Sequence, residues 1–202
     1  MWGFFTACIW DYRYNSNMNT IAQAFKTVPR SYFLSDDEEE SAGLDMPLPI
    51  GYGQTNSQPS TVRQMLEWLE VQQGDMILDV GSGSGWTTAL LAYITGSTGF
   101  VYGVEVVPEL VEIGRQNCNR VGVKNASIQE AGDTLGLPEH APYDRILVSA
   151  ATSKLPEELI TQLKTAGRMV IPVEQSIYVI DKISQDEFEG YEYPGFVFVP
   201  LV

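Results

Sequence analysis

One short stretch constrains the fold more than any other. Asp79-Val80-Gly81-Ser82-Gly83-Ser84-Gly85 stands between an apolar run, Met76 to Val80, and a helical stretch near Trp86 to Ile94. Three alternate glycines let backbone turn sharply and approach a ligand, and the helix beyond them offers N–H groups that lack intrahelical acceptors. From Asp75 onward strand and helix patterns alternate. Phe100 to Val106 reads as a strand, and Pro108 to Val121 as a helix with Pro at its first turn and Gly122 past its end. Ala126 to Gln129, Arg145 to Ser149 and Met169 to Val173 read as further strands, with Pro156 to Leu163 a helix. This alternation predicts a parallel sheet wrapped by helices on both faces. Ser176 to Ile183 and Phe196 to Val202 have no helix between them, which predicts an antiparallel hairpin or edge addition.

Spacing separates the ligands that such a loop could cradle. A dinucleotide turn needs GxGxxG, but counted from Gly81 the last place is Trp86. A phosphate loop needs a Lys after its glycines, and none follows; the GxSxG nucleophile turn fails because Val80 and Ser82 stand two places before Ser82 and Ser84. Glu105 closes the second strand roughly 20 residues on, about where α/β folds set a carboxylate against a ribose diol. Asp133 follows the third strand, where it could accept a hydrogen bond from an adenine amino group. For both acids a solvated strand-end charge is the competing reading. Together these features suggest a nucleoside bearing a cationic or neutral group in place of a pyrophosphate, and S-adenosylmethionine is the common ligand of that kind.

Charge narrows the partners. Twelve Lys plus Arg against 26 Asp plus Glu give the 202-residue chain a formal net charge of −14, with no basic cluster. Affinity for nucleic acid rests on cations that displace counterions, so phosphate-rich partners are disfavoured. The single His140, in a Pro-flanked loop with no chemical role expected, excludes any site that needs two imidazoles. Cys8 and Cys118 are far apart and supply neither a zinc set nor a disulfide framework, so a reduced cytosolic setting fits. No apolar run reaches the roughly 20 residues that a bilayer requires. The opening MWGFFTACIW lacks a positive leader and runs into Asp11; it reads as an N-terminal helix or a misassigned start, not a signal peptide.

Before the glycine loop, Thr20 to Thr27 reads as a short helix that stops at Val28-Pro29. Asp36 to Glu40 is five adjacent carboxylates, a solvated loop. Gly43 to Ser60 is rich in Gly and Pro but poor in charge, which predicts an ordered loop packed on the body and open to function. Pro59 suits a helix N-terminus, with Val62, Met65, Leu66 and Leu69 as the buried face.

DVGSGSG followed by an acidic strand end resembles the class I S-adenosylmethionine-dependent methyltransferases. Val28-Pro29-Arg30 with Phe33, PLPIGYGQTNSQPS, Ala141-Pro142-Tyr143-Asp144, Val170-Ile171-Pro172-Val173 and Phe198-Val199-Pro200-Leu201-Val202 are similar to the protein-L-isoaspartate O-methyltransferases, over about Asn19 to Val202. Family members usually carry Ile where this chain has Asn56, which ends an apolar contact beside the catalytic loop, and an aromatic where it has Gly43. The first 18 residues match nothing in that family.

The resemblance implies a Rossmann-like, doubly wound α/β fold: a mainly parallel sheet with an antiparallel C-terminal strand, in three α/β/α layers. Residues 1–60 would be an N-terminal helical segment and active-site loop, and 61–202 the cofactor-binding core, within one compact domain overall. It also implies protein repair, with the methyl of S-adenosylmethionine passing to the α-carboxylate of L-isoaspartyl residues in damaged proteins and peptides; the ester then cyclises and reopens as aspartate. Ser57 would hold that carboxylate and Thr55 shape the loop, with Gln54, Asn56, Gln58, Pro59 and Val199 contacting substrate. Asp79, Gly81, Ser82, Gly83, Ser84, Gly85, Glu105, Asp133 and Thr134 would hold the cofactor.

Without the family, hydroxyls in a Pro-rich loop are turn formers. No metal is expected, the partners are isoaspartyl-containing proteins and peptides, not nucleic acid or membrane, and a cytoplasmic monomer is expected. A carboxylate with an unperturbed pKa near 4 is already ionised at pH 7, so it needs no general base. A chain with one His can therefore catalyse by positioning. Two rivals stay open: a small-molecule O-methyltransferase, which needs a metal for a catechol-like acceptor, and a non-catalytic S-adenosylmethionine-binding module, motivated by Asn56.

Overall fold

The computed structural model describes residues 18–201; the apolar opening stretch, Cys8 and Val202 lie outside them. A helix over 18–27 (α1) ends as expected at Val28, the residue before Pro29. Two 3-10 turns, Arg30–Phe33 and Asp36–Ser41, follow. The acidic run is thus a turn of 3-10 helix, not a loop, and it buries none of its residues. Leu48–Gly51 (β1) and Gln54–Asn56 (β2) then form a hairpin that pairs with no other strand among the described residues, the ordered form of the Gly- and Pro-rich segment. Helix α2 (Pro59–Leu69) has Pro at its first turn and buries Val62, Met65, Leu66 and Leu69, the face predicted by their spacing.

The alternating region follows: β3 (Met76–Val80), α3 (Trp86–Thr95), β4 (Phe100–Glu105), α4 (Pro108–Arg120), β5 (Ala126–Glu130), β6 (Tyr143–Val148), α5 (Glu157–Thr161), β7 (Leu163–Val173), β8 (Ser176–Lys182) and β9 (Phe188–Pro194). They form one sheet in the order β5-β4-β3-β6-β7-β8-β9, parallel through β7, with β8 antiparallel to both its neighbours. Successive crossovers run one way from β3 and then jump to its other side at β6. That reversal leaves a crevice beyond the strand C-termini, where open α/β sheets bind ligands.

Because side chains alternate across a strand, the two faces build separate cores. Ile77, Val101, Ile128 and Leu147 meet residues of α1 to α4 in one cluster. Leu78, Val80, Val104 and Ile146 meet α5 and the segment around Leu137 in the other. Three layers are present, but the second face carries one short helix where the first carries four.

Two expectations at the C-terminus need correction. The partner of β8 is β9, Phe188–Pro194, not the tail from Phe196. The tail is apolar because it packs on the body, with Phe196 and Phe198 against the first core and Leu201 against the second. The helix expected over Pro156 to Leu163 spans only Glu157–Thr161, since Leu163 already pairs with Tyr143 as the start of β7. Among the described residues no helix is long and apolar enough to cross a membrane.

Candidate active site

The turn from β3 to α3 holds Gly81, Gly83 and Gly85 at φ of +76°, +52° and +91°, which side-chain-bearing residues rarely adopt. A Cβ at Gly85 would lie 3.0 Å from the Gly114 carbonyl oxygen on α4, and one at Gly83 would lie 3.1 Å from Ile50 on the hairpin. The loop is tied to its surroundings by backbone. Gly81 and Ser82 N–H donate to the Val104 carbonyl (2.9 and 3.1 Å), and α4 contributes a bond from Asn117 Nδ2 to the Ser84 carbonyl (3.0 Å). Glu105 is buried at the end of β4, where Oε2 accepts from Gly83 N–H (2.8 Å) and Oε1 from Val106 and Val107 N–H (2.9 and 3.1 Å). A carboxylate has about four acceptor positions, so Glu105 keeps capacity toward the crevice while it orders the loop.

Asp79 does not line the crevice. It lies fully buried behind the loop, with Oδ2 accepting from Thr87 Oγ1 (2.8 Å) and Thr88 Oγ1 (2.6 Å). Burial pushes its pKa up to about 6, against the two threonine bonds and with the help of the Glu105 charge. Asp79 Oδ1 and Ser82 Oγ are buried without a hydrogen-bond partner among the described residues. Buried polar atoms are nearly always bonded, so two orphaned oxygens beside one loop mark a place for polar groups of a ligand.

The facing wall is the hairpin and its exit, Gln54 to Ser57. Arg30, from the turn after α1, holds it: Nε donates to Asn56 Oδ1 (2.8 Å). Its Nη atoms donate to the carbonyls of Leu44 (3.1 Å), Met46 (2.9 Å), Asn56 (2.8 Å) and Ser57 (2.9 Å). Burial lowers the Arg30 pKa, opposed by the Asp45 charge. Asn56 is buried, and its Nδ2 lies 3.4 Å from Ser84 Oγ. The polar residue at this place therefore has polar partners, in contrast to an interrupted apolar contact.

Together the walls enclose a cavity of about 490 Å³, within the usual range of small-molecule sites. Gln54, Thr55, Asn56 and Ser57 line one side, Gly81, Ser82, Gly83, Ser84 and Glu105 the other, with Asp133 and Thr134 beyond β5 and Val199 from the tail. Four predicted residues lie outside it. Asp79 is behind the loop, Gly85 caps α3, Gln58 Nε2 donates to Asp45 (3.1 Å), and Pro59 opens α2. A smaller cavity of about 260 Å³ adjoins, sharing Thr55, Ser57, Ser149 and Val199 and adding Gln58 and Phe198.

Sequence reasoning missed Ile50, Ser149, Ala150 and Leu201, which also line the main cavity. The end of β6 was the available signal for Ser149, because it too is a strand C-terminus facing the crevice. His140 stacks on Tyr102 (4.2 Å, 15° between planes) and does not line the cavity. Among the described residues no group of three or more His, Cys, Asp or Glu is placed to hold a metal ion.

Residues 6–202 match the family described as protein-L-isoaspartate(D-aspartate) O-methyltransferase, so the likeness begins well before Asn19. The chain is 41% identical to the protein-L-isoaspartate O-methyltransferase of Methanococcoides burtonii, over 93% of this chain and 94% of that one. Against that of Pyrococcus abyssi it is 41% identical, over 90% and 86%. A solved protein-L-isoaspartate O-methyltransferase superposes with a TM-score of 0.85 at 28% identity, covering 96% of this chain but 64% of that longer one. A Plasmodium falciparum relative, in complex with S-adenosyl-L-homocysteine, gives 0.80 at 25% identity, covering 91% and 90%. Matched almost from end to end in sequence and in fold, the chain belongs to the protein-L-isoaspartate(D-aspartate) O-methyltransferase family.

Proposed function

We propose that the chain transfers the methyl group of S-adenosylmethionine to the α-carboxylate of L-isoaspartyl residues in damaged proteins and peptides, and so acts in protein repair. The observation that carries this reading is a cavity with two unlike walls, one of strand-end backbone and the buried Glu105, the other of hydroxyl-bearing loop. The residues fit the cofactor: glycines in left-handed conformation allow close approach, and two buried oxygens await partners. When bound, S-adenosylmethionine supplies a methyl group on a cationic sulfonium.

Glu105 would accept from the ribose hydroxyls, and Asp133 with Thr134 would meet the adenine. Gly81, Ser82, Gly83, Ser84 and Gly85 would shape the bed of the amino-acid end, whose positive charge the Asp79 carboxylate favours. Ser57 would donate to the isoaspartyl carboxylate and hold one oxygen toward the methyl, with Thr55, Gln54 and Val199 bounding the acceptor. Gln58 and Pro59 would anchor this loop from behind, and Asn56 from its side.

That carboxylate is ionised at pH 7 and gives up no proton, so no residue need serve as base. Alignment is then the main source of rate, worth up to roughly 7–11 kcal/mol. As the methyl moves, opposite charges cancel, and water held on either reactant would oppose the step. Ile50, Val199 and Leu201 line the cavity and would limit such water once cofactor and acceptor are bound. In this reading residues 1–60 carry the active-site loop and 61–202 form the cofactor-binding core, which also lends Val199 to the acceptor side. The net charge of −14 disfavours phosphate-rich partners, so in this reading the chain acts on isoaspartyl proteins and peptides, not on nucleic acid or membrane, as a cytoplasmic monomer.

The test is transfer of labelled methyl to a peptide containing isoaspartate and to its aspartyl twin. A base-labile label on the first alone is the expected result; no label, or equal label on both, overturns the proposal. Loss of transfer on adding a chelator would favour the metal-dependent small-molecule reading instead.

A further inference from the structure

Arg30 is 5% exposed, lies outside the cavity, and sends its five hydrogen bonds to residues of one segment, 44–57. Among the described residues that segment pairs with no strand outside its own hairpin. Two of the accepting carbonyls belong to Asn56 and Ser57, so the guanidinium holds the peptide planes on either side of the Ser57 Cα. Its other face lies over the ring of Trp86, 5.6 Å from the centroid, at the first residue of α3. Through Asn56 it reaches Ser84 Oγ on the glycine loop, which α4 holds from the other side through Asn117. A structural arginine would bind core elements to one another; this one touches the two walls of the site.

We propose that Arg30 is a positioning residue for methyl transfer: it aims the Ser57 hydroxyl and, through Asn56, keeps the acceptor loop in register with the glycine loop. The inference rests on the reading of Ser57 as the group that holds the acceptor carboxylate. Arg30 touches no reacting atom. Its role requires the planar fork, because a lysine ammonium is a single point that cannot serve acceptors spread from Leu44 to Ser57.

The test compares the parent with Arg30→Lys, Asn56→Ala and Ser57→Ala, full-length chains in each case. S-adenosyl-L-homocysteine is titrated by calorimetry to count competent sites, and turnover of an isoaspartyl peptide is expressed per site. For Arg30→Lys the expected result is one site per chain, a Kd within about threefold of the parent, and kcat/KM per site lower by about 10- to 100-fold, the scale of a small misplacement of reactants. A merely structural role would reduce the number of competent sites and leave turnover per site unchanged; that result overturns the proposal.

Should Arg30→Lys bind no S-adenosyl-L-homocysteine, Asn56→Ala decides, since it leaves the guanidinium in place and removes only the link that runs from Arg30 Nε through the Asn56 amide to Ser84 Oγ. A loss of about threefold or more per site supports the proposal, and no loss overturns it. If Ser57→Ala is impaired while Arg30→Lys is not, the inference about Arg30 falls alone. If Ser57→Ala turns over normally, both readings fall.

Discussion

Glycine loop and acceptor hairpin face each other across one cavity, yet they are held in different ways. The glycine loop is held from several neighbours at once: the Val104 carbonyl, the Glu105 carboxylate and the Asn117 side chain on α4 all bind its backbone groups. Among the described residues the hairpin has no partner strand, and it depends on one side chain 26 residues distant, Arg30. A wall of strand ends is as rigid as the sheet, whereas a wall hung on one guanidinium can change its acceptor without disturbing the fold. The difference predicts that the two walls can be damaged separately.

The largest effect on the cofactor side should come from Glu105→Ala. It removes the acceptor for Gly83, Val106 and Val107 N–H as well as the proposed ribose contact. Affinity for S-adenosyl-L-homocysteine by calorimetry should fall roughly 100-fold, the scale of losing hydrogen bonds to a charged group. A small loss would mean that the loop is not ordered through Glu105.

Asp79→Asn should act in opposite directions on stability and binding. With a pKa of about 6 in the fold, against about 3.9 unfolded, Asp79 binds more protons folded than unfolded. Its contribution is fully present below about pH 4 and is lost as pH rises through 6. Denaturant melts of the ligand-free variant should therefore show a gain of about 1–3 kcal/mol over the parent at pH 8, shrinking toward pH 4. Cofactor affinity should meanwhile drop about tenfold, as expected for a lost interaction with a charged group. Equal melts at pH 8 would show that the buried carboxylate carries no such cost.

The smallest effect belongs to a residue in neither wall. His140→Ala removes a stack on Tyr102, worth about 0.5–1.5 kcal/mol. It should lower Tm by a few degrees and leave isoaspartyl turnover within about twofold. A large loss of turnover would reveal a role for the lone histidine that the cavity does not suggest.

How far the molecule could be read from its residues follows the same division. The limits of β3 and the buried face of α2 were legible to the residue, because a short apolar run and an i, i+3, i+4, i+7 pattern have local causes. Glycine spacing and the acid at a strand end likewise located one wall of the cavity. β9 was not legible: Phe188–Pro194 is exposed along its whole length at a sheet edge, so it carries no burial period. Its apolar neighbour, the tail, drew the strand assignment in its place. Arg30 stood in a recognisable Val-Pro-Arg stretch, but nothing local indicates that a guanidinium there holds carbonyls from Leu44 to Ser57. Long-range polar contacts leave no period in a sequence.

Separability of the two walls is tested most directly by Ser57→Ala, with cofactor affinity and isoaspartyl methylation measured on the same preparation. Removal of one positioned donor should lower kcat by roughly 100-fold or more, while the Kd for S-adenosyl-L-homocysteine stays within about threefold of the parent. Loss of cofactor affinity in step with turnover, or unchanged turnover, would contradict the division into a cofactor wall and an acceptor wall.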